Sequence, residues 1–165
     1  MTPHIRAGII AGIATLIIDQ ASKLWLLYEF DLANRGVVKV TPFFDLVLAR
    51  NVGISFGWFQ NDGLLAQAVL TAIKAVAVIV LAIWMARSRN RLATVALGLI
   101  IGGAIGNAID RVAYGWVIDF AQFHIEIAGK TYYWYVFNLA DVAIVAGVAA
   151  LLYDSFRGVP AAKAP

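Results

Sequence analysis

Long unbroken apolar runs dominate this chain, in place of the alternation of a strand or the mixed spacing of a surface helix. Four runs are long enough to cross roughly 30 Å of hydrocarbon, which takes about 20 residues as a helix. They cover about Ala7–Tyr28, Leu64–Ala86, Leu92–Ile109 and Leu139–Tyr153. The last is short as a purely apolar stretch, so its ends are expected to reach into the interface. Two segments of different texture separate the runs, about 29–63 and about 112–137. In the first, Val37–Thr41 and Phe44–Ala49 read as short strands around Pro42. In the second, His124–Ile127, a turn at Ala128-Gly129-Lys130 and Thr131–Val136 resemble a hairpin, while a helix is equally compatible with Asp119–His124. The pattern predicts an α-helical integral membrane protein with four transmembrane helices. A small aromatic-rich structure is expected on the outer membrane face, and the whole of 1–165 forms a single membrane-embedded domain.

Composition agrees: 62% of the residues are hydrophobic and 14% charged, against about 45–50% and about 25% in soluble domains. The mean hydropathy of +0.80 excludes both a water-soluble globule and a disordered chain. Cysteine is absent, which rules out disulfides, thiolate zinc sites and a cysteine nucleophile. His4 and His124 are too few and too far apart for a histidine metal cluster. The net charge of +3 reflects topology and not nucleic acid, because the basic residues flank the apolar runs. Arg87, Arg89 and Arg91 crowd the link between spans two and three, Arg6 precedes span one, and Arg157 and Lys163 follow span four. By the positive-inside rule these places, and both termini, are cytoplasmic. Trp25 with Tyr28, Trp58 with Phe59, and Tyr114 with Trp116 then form an aromatic belt at the outer interface. Asp19-Gln20 interrupts the first run and no small-x-small site follows at once, so span one reads as uncleaved.

In so apolar a chain the ionisable residues near the spans carry the information, since each is costly there and marks a function or a buried partner. Asp19 and Lys23 lie four apart on one helical face, either as an ion pair between helices or as groups that orient a substrate. Gly102, Gly103 and Gly106 permit close helix packing. Asn107, Asp110 and Arg111 put three polar groups in about one turn, and Asp110–Arg111 is expected to form a structural clasp. Asp119 falls just past the outer end of span three and Asp141 just inside that of span four. Two carboxylates brought together share a proton, so one acts as base toward water and the other as acid toward a carbonyl. Two independent helix-end aspartates fit the spacing as well, with Asp141 favoured by the helix N-terminus. Other nucleophiles fare worse: Ser55, Ser88 and Ser155 lack a histidine or lysine base, and Ser22 is merely next to Lys23 in sequence. Lys74 has no evident carboxylate partner and reads as a snorkelling residue or one facing a polar cavity.

The ordered motifs resemble those of the lipoprotein signal peptidase (signal peptidase II) family over nearly the whole chain. They read Asp19-Gln with Lys23, Arg50-Asn51-Val-Gly53-Ile-Ser-Phe56, Gly106-Asn107-Ala-Ile-Asp110-Arg111, Val117-Ile-Asp119-Phe120 and Phe137-Asn138-Leu-Ala140-Asp141. Each motif is weak alone; the ordered set is specific. The resemblance implies that Asp119 and Asp141 are the catalytic pair of an aspartyl endopeptidase without metal or cofactor. Asn51, Gly53, Asn107, Asp110, Arg111, Asn138 and Ala140 match positions that line or brace the site, and Asp19 and Lys23 match a supporting polar pair.

The implied fold is a four-helix membrane bundle with a small extracytoplasmic β-cradle and a periplasmic loop or helix. The implied place is the bacterial inner membrane, with the site at the periplasmic face. The implied partners are membrane lipid, diacylglyceryl-modified prolipoproteins, cut just before the lipidated cysteine, and globomycin-type peptide inhibitors. No nucleic acid is implied, and a four-helix bundle is complete as a monomer. Departures are small: Ile54-Ser55 replaces common alanines, Val142 replaces a frequent serine, and the segment between Phe120 and Phe137 is long and aromatic. Two rivals make different predictions. A small proton-coupled transporter would spread its polar residues through the membrane depth, whereas here most gather at the outer ends. A non-enzymatic assembly factor would keep its function in Asp119→Asn.

Overall fold

The computed structural model describes residues 2–52 and 64–157. Helix α1 (Pro3–Leu24) starts on the Thr2 side chain, which accepts the Ile5 N–H, and continues as a π-helical turn over Trp25–Glu29. A short helix α2 (Leu32–Arg35) leads into the antiparallel strands β1 (Val38–Thr41) and β2 (Phe44–Asn51). Helices α3 (Leu64–Arg87) and α4 (Arg91–Tyr114) follow, then β3 (Val117–Ile127), β4 (Lys130–Tyr133) and α5 (Leu139–Arg157). Among the described residues, three helical stretches are long and apolar enough to span a membrane: Pro3–Glu29, Arg91–Tyr114 and Leu139–Arg157. Helix α3 matches them in length, with 24 residues, and its stretch Ala75–Arg87 is apolar.

The third span runs five residues past its expected end at Ile109. Asn107, Asp110 and Arg111 do not stop the helix because their polar groups find partners in the bundle or on the helix itself. Gly115 stops it, in the left-handed conformation at φ 80° that a helix C-terminus favours. At the other end Asn90 caps α4, accepting the Leu92 N–H at 2.9 Å.

Close packing of α1 on α4 rests on glycine. A Cβ on Gly102 would collide with the Gly12 carbonyl, and one on Gly98 with that of Gly8. A Cβ on Gly103 would meet the Ala140 carbonyl of α5, and one on Gly106 the Asp19 carboxylate of α1, so the close packing expected at Gly102, Gly103 and Gly106 is present. The opposite side of α1, with Ile10, Ile13, Ile17 and Ile18, is bare, as a lipid-facing surface should be.

The four strands form one antiparallel sheet in the order β1-β2-β3-β4. The inner part of β3 pairs with β2, from Asn51↔Val117 to Phe44↔Phe123, and its outer part pairs with β4. Strand β3 therefore begins at Val117 and includes Asp119, and the helical alternative for Asp119–His124 is not realised. Pairing with β2 decides the matter, a long-range contact that the local sequence does not display. The hairpin turn is shorter than expected, with Ala128 (φ 52°) and Gly129 (φ 75°) as its two central residues, both at the positive φ that a type I′ turn needs. Leu26, Leu32, Ile118, Phe120 and Ala121 form a small buried core that fastens the sheet to the end of the helix bundle.

Candidate active site

The start of α5 organises the site. Asn138 accepts the Asp141 N–H on Oδ1 at 3.0 Å, while Asp141 Oδ2 accepts the Asn138 N–H at 3.2 Å. This reciprocal pair is a capping box with aspartate in the third helical position. A further free N–H of the same turn, that of Ala140, donates to Asp19 Oδ1 of α1 at 2.9 Å. The sequence Asn138-Leu-Ala-Asp141 thus starts a helix and aims a carboxylate by one set of bonds.

Asn138 also joins the two aspartates. Its Nδ2 donates to Asp119 Oδ1 at 2.6 Å and to Asn107 Oδ1 at 3.0 Å. Asn107 Nδ2 donates in turn to Asp141 Oδ1 at 2.9 Å. From the far side, Asn51 at the end of β2 donates through Nδ2 to Asp119 Oδ2 at 3.0 Å. Asp119 and Asp141 therefore converge, one from a strand and one from a helix, with asparagines on every side. Asp119 is 2% exposed, and Asp141 is only partly buried. Burial pushes the Asp119 carboxyl up to about 6 from an ordinary 3.8. The amide donors of Asn51 and Asn138 oppose that rise, and the nearby charge of Asp141 adds to it.

Beneath the pair lies a wholly buried ionic cluster. Lys23 Nζ is 2.8 Å from Asp19 Oδ2, 2.8 Å from Asp110 Oδ2 and 2.9 Å from Asn107 Oδ1, which uses all three of its protons. The ammonium fixes the side chain of Asn107 with its oxygen inward, so that its NH₂ must face Asp141. Asp110 Oδ2 also accepts the Ile118 N–H at 3.1 Å and so positions the strand residue next to Asp119. Gln20, whose role the sequence did not reveal, donates to Asp110 Oδ1 at 2.9 Å, to Asp19 Oδ2 at 3.2 Å and to the Gly106 carbonyl at 3.1 Å. The signal for it was a second polar residue beside Asp19 in an apolar run.

The expected Asp19–Lys23 pair is present. The expected Asp110–Arg111 clasp is not: successive helical side chains diverge by about 100°, so Asp110 turns inward to Lys23 while Arg111 donates to the Asn107 carbonyl at 3.1 Å. Arg111 remains within electrostatic range of Asp119 and Asp141. It also borders an apolar cavity of about 540 Å³ between α3 and α4, lined by Val78, Ile79, Ile105 and Ile109 among others. Ala140 is fully buried and contributes its backbone. Gly53, Trp58 and Phe59 lie outside the described residues, as does the side chain of Lys74. A second pair away from the site also escaped the sequence: the half-buried His124 places Nδ1 3.1 Å from Oδ2 of the buried Asp45, across β2 and β3.

Residues 11–157 match the family described as Signal peptidase (SPase) II. The chain belongs to the signal peptidase II family. As a member it is a peptidase, and its apolar helices make it a membrane protein. It is 72% identical over 165 residues to the lipoprotein signal peptidase of Nitrobacter hamburgensis, covering 100% of both chains. It is 68% identical to that of Rhodopseudomonas palustris strain CGA009, again over 100% of both. The lipoprotein signal peptidase of Methylorubrum extorquens is 53% identical, with 97% of this chain and 90% of the relative covered. Two solved structures of bacterial membrane enzymes, obtained by the in meso method at 2.3 and 1.9 Å resolution, share the fold. The first has a TM-score of 0.72 and 26% identity, over 96% of this chain and 92% of its own. The second has a TM-score of 0.74 and 25% identity, over 92% and 94%. None of these relatives is described as a transporter.

Proposed function

We propose that this signal peptidase II family member is an aspartic endopeptidase that removes the signal peptide from diacylglyceryl-modified prolipoproteins, cutting N-terminal to the lipidated cysteine. The observation that carries the aspartic mechanism is the bridge of Asn138, which holds Asp119 by its side chain and Asp141 by both side chain and backbone. Two carboxylates so held serve as one acid–base unit.

The environments divide the roles. Asp119 is enclosed and raised by burial, which suits it to carry the proton. Both carboxylates accept N–H donors on each oxygen, but Asp141 is partly open to water, which suits it to act as the base. Asp141 takes a proton from water as the water oxygen bonds to the scissile carbonyl carbon. Asp119 gives its proton to the carbonyl oxygen, and a tetrahedral diol results. The C–N bond then breaks: Asp141 returns its proton to the leaving cysteine nitrogen, and Asp119 recovers one from the diol hydroxyl as the new carboxylic acid forms. The pair ends as it began. Asn51 and Asn138 stand beside Asp119 with amide groups able to hold the substrate backbone.

Lys23, Asp19, Asp110, Asn107 and Arg111 are positioning residues, and Gly53 and Ala140 belong to the same motifs. The apolar cavity between α3 and α4 suits the hydrophobic stretch of a signal peptide, with Arg111 at its border. The basic flanks Arg6, Arg87, Arg89 and Arg91 support cytoplasmic termini in a bacterial inner membrane and a site at the periplasmic face.

The test is cleavage of a purified diacylated prolipoprotein in detergent or bilayer, read by gel shift. Asp119→Asn and Asp141→Asn, each melting like the wild type, are expected to release no signal peptide. Full activity in either variant removes that residue from the pair. Block of the wild type by a globomycin-type peptide is the expected pharmacology.

A further inference from the structure

The β3–β4 hairpin has two unlike faces. Opposed residues of an antiparallel pair share a face, as do alternate residues along each strand. The pairings Ile125↔Tyr132 and Ile127↔Lys130, and the bond from Trp134 N–H to the Phe123 carbonyl at 2.8 Å, therefore sort the side chains. One face carries Phe123, Ile125, Ile127, Tyr132 and Trp134, with Lys130 at the tip. The other carries Gln122, His124, Glu126, Thr131 and Tyr133. The five apolar and aromatic side chains of the first face are between 45% and 66% exposed. A two-stranded ribbon is marginal in water by itself, and a continuous bare apolar face marks an interaction surface.

The position and chemistry of that face select its occupant. Two residues separate the end of α4 from β3, and five separate the end of β4 from α5, so the hairpin is rooted at the ends of two spanning helices. Phe123 stacks at 5.6 Å on Phe137, two residues before α5, and lies 5.1 Å from Phe44, which makes the bare face continuous with aromatic groups at that level. Tryptophan and tyrosine are the side chains that favour the zone between hydrocarbon and headgroups. Lys130 lies over the Tyr132 ring at 5.4 Å, an apolar stem with a cation at its end, suited to a lipid phosphate. The acidic residue within the paired β3–β4 segment, Glu126, is on the opposite face.

We propose that the face formed by Phe123, Ile125, Ile127, Tyr132 and Trp134 is seated in the interfacial layer of the lipid bilayer, with Lys130 against phospholipid phosphate. Strand β3 is then held at one end by the helix bundle and at the other by the membrane. Strand alternation places Asp119 and Ala121 on the same side as Phe123, so the lipid-seated face leads directly to the candidate catalytic carboxylate.

The chain has no cysteine, which makes site-directed labelling of the full-length protein direct. Ile125→Cys, Ile127→Cys, Glu126→Cys and Thr131→Cys, each carrying a nitroxide, would be reconstituted in phosphatidylcholine–phosphatidylglycerol vesicles. Electron paramagnetic resonance would then compare the label's accessibility to oxygen and to a water-soluble nickel chelate. The expected oxygen-to-nickel ratio is several-fold higher at 125 and 127 than at 126 and 131. Adding Lys130→Glu is expected to reduce that contrast, and to reduce it more in the anionic vesicles than in pure phosphatidylcholine, where choline offsets the phosphate charge. Equal ratios at all four sites overturn the proposal. So does shielding of 125 and 127 that appears only with a diacylated peptide, which assigns the face to substrate chains. Shielding that appears only at high protein-to-lipid ratio assigns it to a second copy and overturns it too. The readout involves no cleavage, so its failure and that of the peptidase chemistry are separable.

Discussion

Lys23→Met deletes one ammonium group and keeps the apolar stem, so it isolates the charge at the centre of the bundle. Lys23, Asp19 and Asp110 are all fully buried, and the lysine is 2.8 Å from each carboxylate. Removing one partner of a buried ion pair costs about 3–5 kcal/mol, because the remaining charge stays out of water unpaired. In a chain of this size that corresponds to a melting point roughly 6–20 °C lower. The damage is not confined to the pair. Asp19 holds the Ala140 N–H at the start of α5 and Asp110 holds the Ile118 N–H beside Asp119, so both aspartates of the candidate pair lose their support. The assay is thermal unfolding in detergent, followed by cleavage below the variant's melting point. Lys23→Met with Asp110→Asn removes one of the orphaned charges and is expected to recover part of the loss. A Lys23→Met protein that melts and cleaves like the wild type refutes the reasoning, since the cluster would then carry neither stability nor geometry.

Asn138→Ala removes the cap of α5 and the link to Asp119; a stability loss of about 1 kcal/mol is expected from the cap, with kcat falling far more than KM changes. A change in KM alone, with kcat intact, would count against the bridge. Gly106→Ala places a Cβ 2.5 Å from Asp19 Oδ2, so Asp19 must move off Lys23, and a lower melting point is expected; an unchanged one means that the helices separate freely there. Asp119, pushed up to about 6 from 3.8, keeps its proton in the folded state over a window where the unfolded chain has lost it. Its contribution to stability therefore falls as pH rises through that window, and Asp119→Asn is expected to remove this step from melts taken across it. A step that persists in the variant belongs to another group.

The spans were legible because each rests on a strong local signal, whereas spacing alone left Asp119 and Asp141 open as two independent helix-end aspartates and only the ordered motifs paired them. Twenty apolar residues have one low-energy fate in a membrane, and a polar residue within them must have a partner. Helical spacing put Asp19 and Lys23 on one face, and the structure pairs them. What the sequence left open depended on distant contacts. Asp119 lies on a strand because β2 lies beside it, with Ala49 opposite. The mistaken Asp110–Arg111 clasp came from reading adjacency in sequence as adjacency in space, when Lys23 offered Asp110 a partner on another helix. A glutamine beside an aspartate reads in the sequence as one polar interruption, so the separate contacts of Gln20 with Asp110 and Gly106 show only in the structure. The His124–Asp45 approach joins residues that no short motif connects.

The spacing of Asp19 and Lys23 also bears on how the chain is made. Their other partners, Asp110 and the Ala140 N–H, stand on α4 and α5, far later in the chain. When α1 first enters the bilayer, those helices have not yet been synthesised. A lone lysine or aspartate at that stage would be costly in hydrocarbon. Because the two lie four residues apart, at 2.8 Å in the finished protein, α1 brings its own counter-ion. The nascent helix crosses as a neutral unit, and the same two charges are later redeployed to receive α4 and α5. One interval of four residues thus serves insertion first and the architecture of the site afterwards.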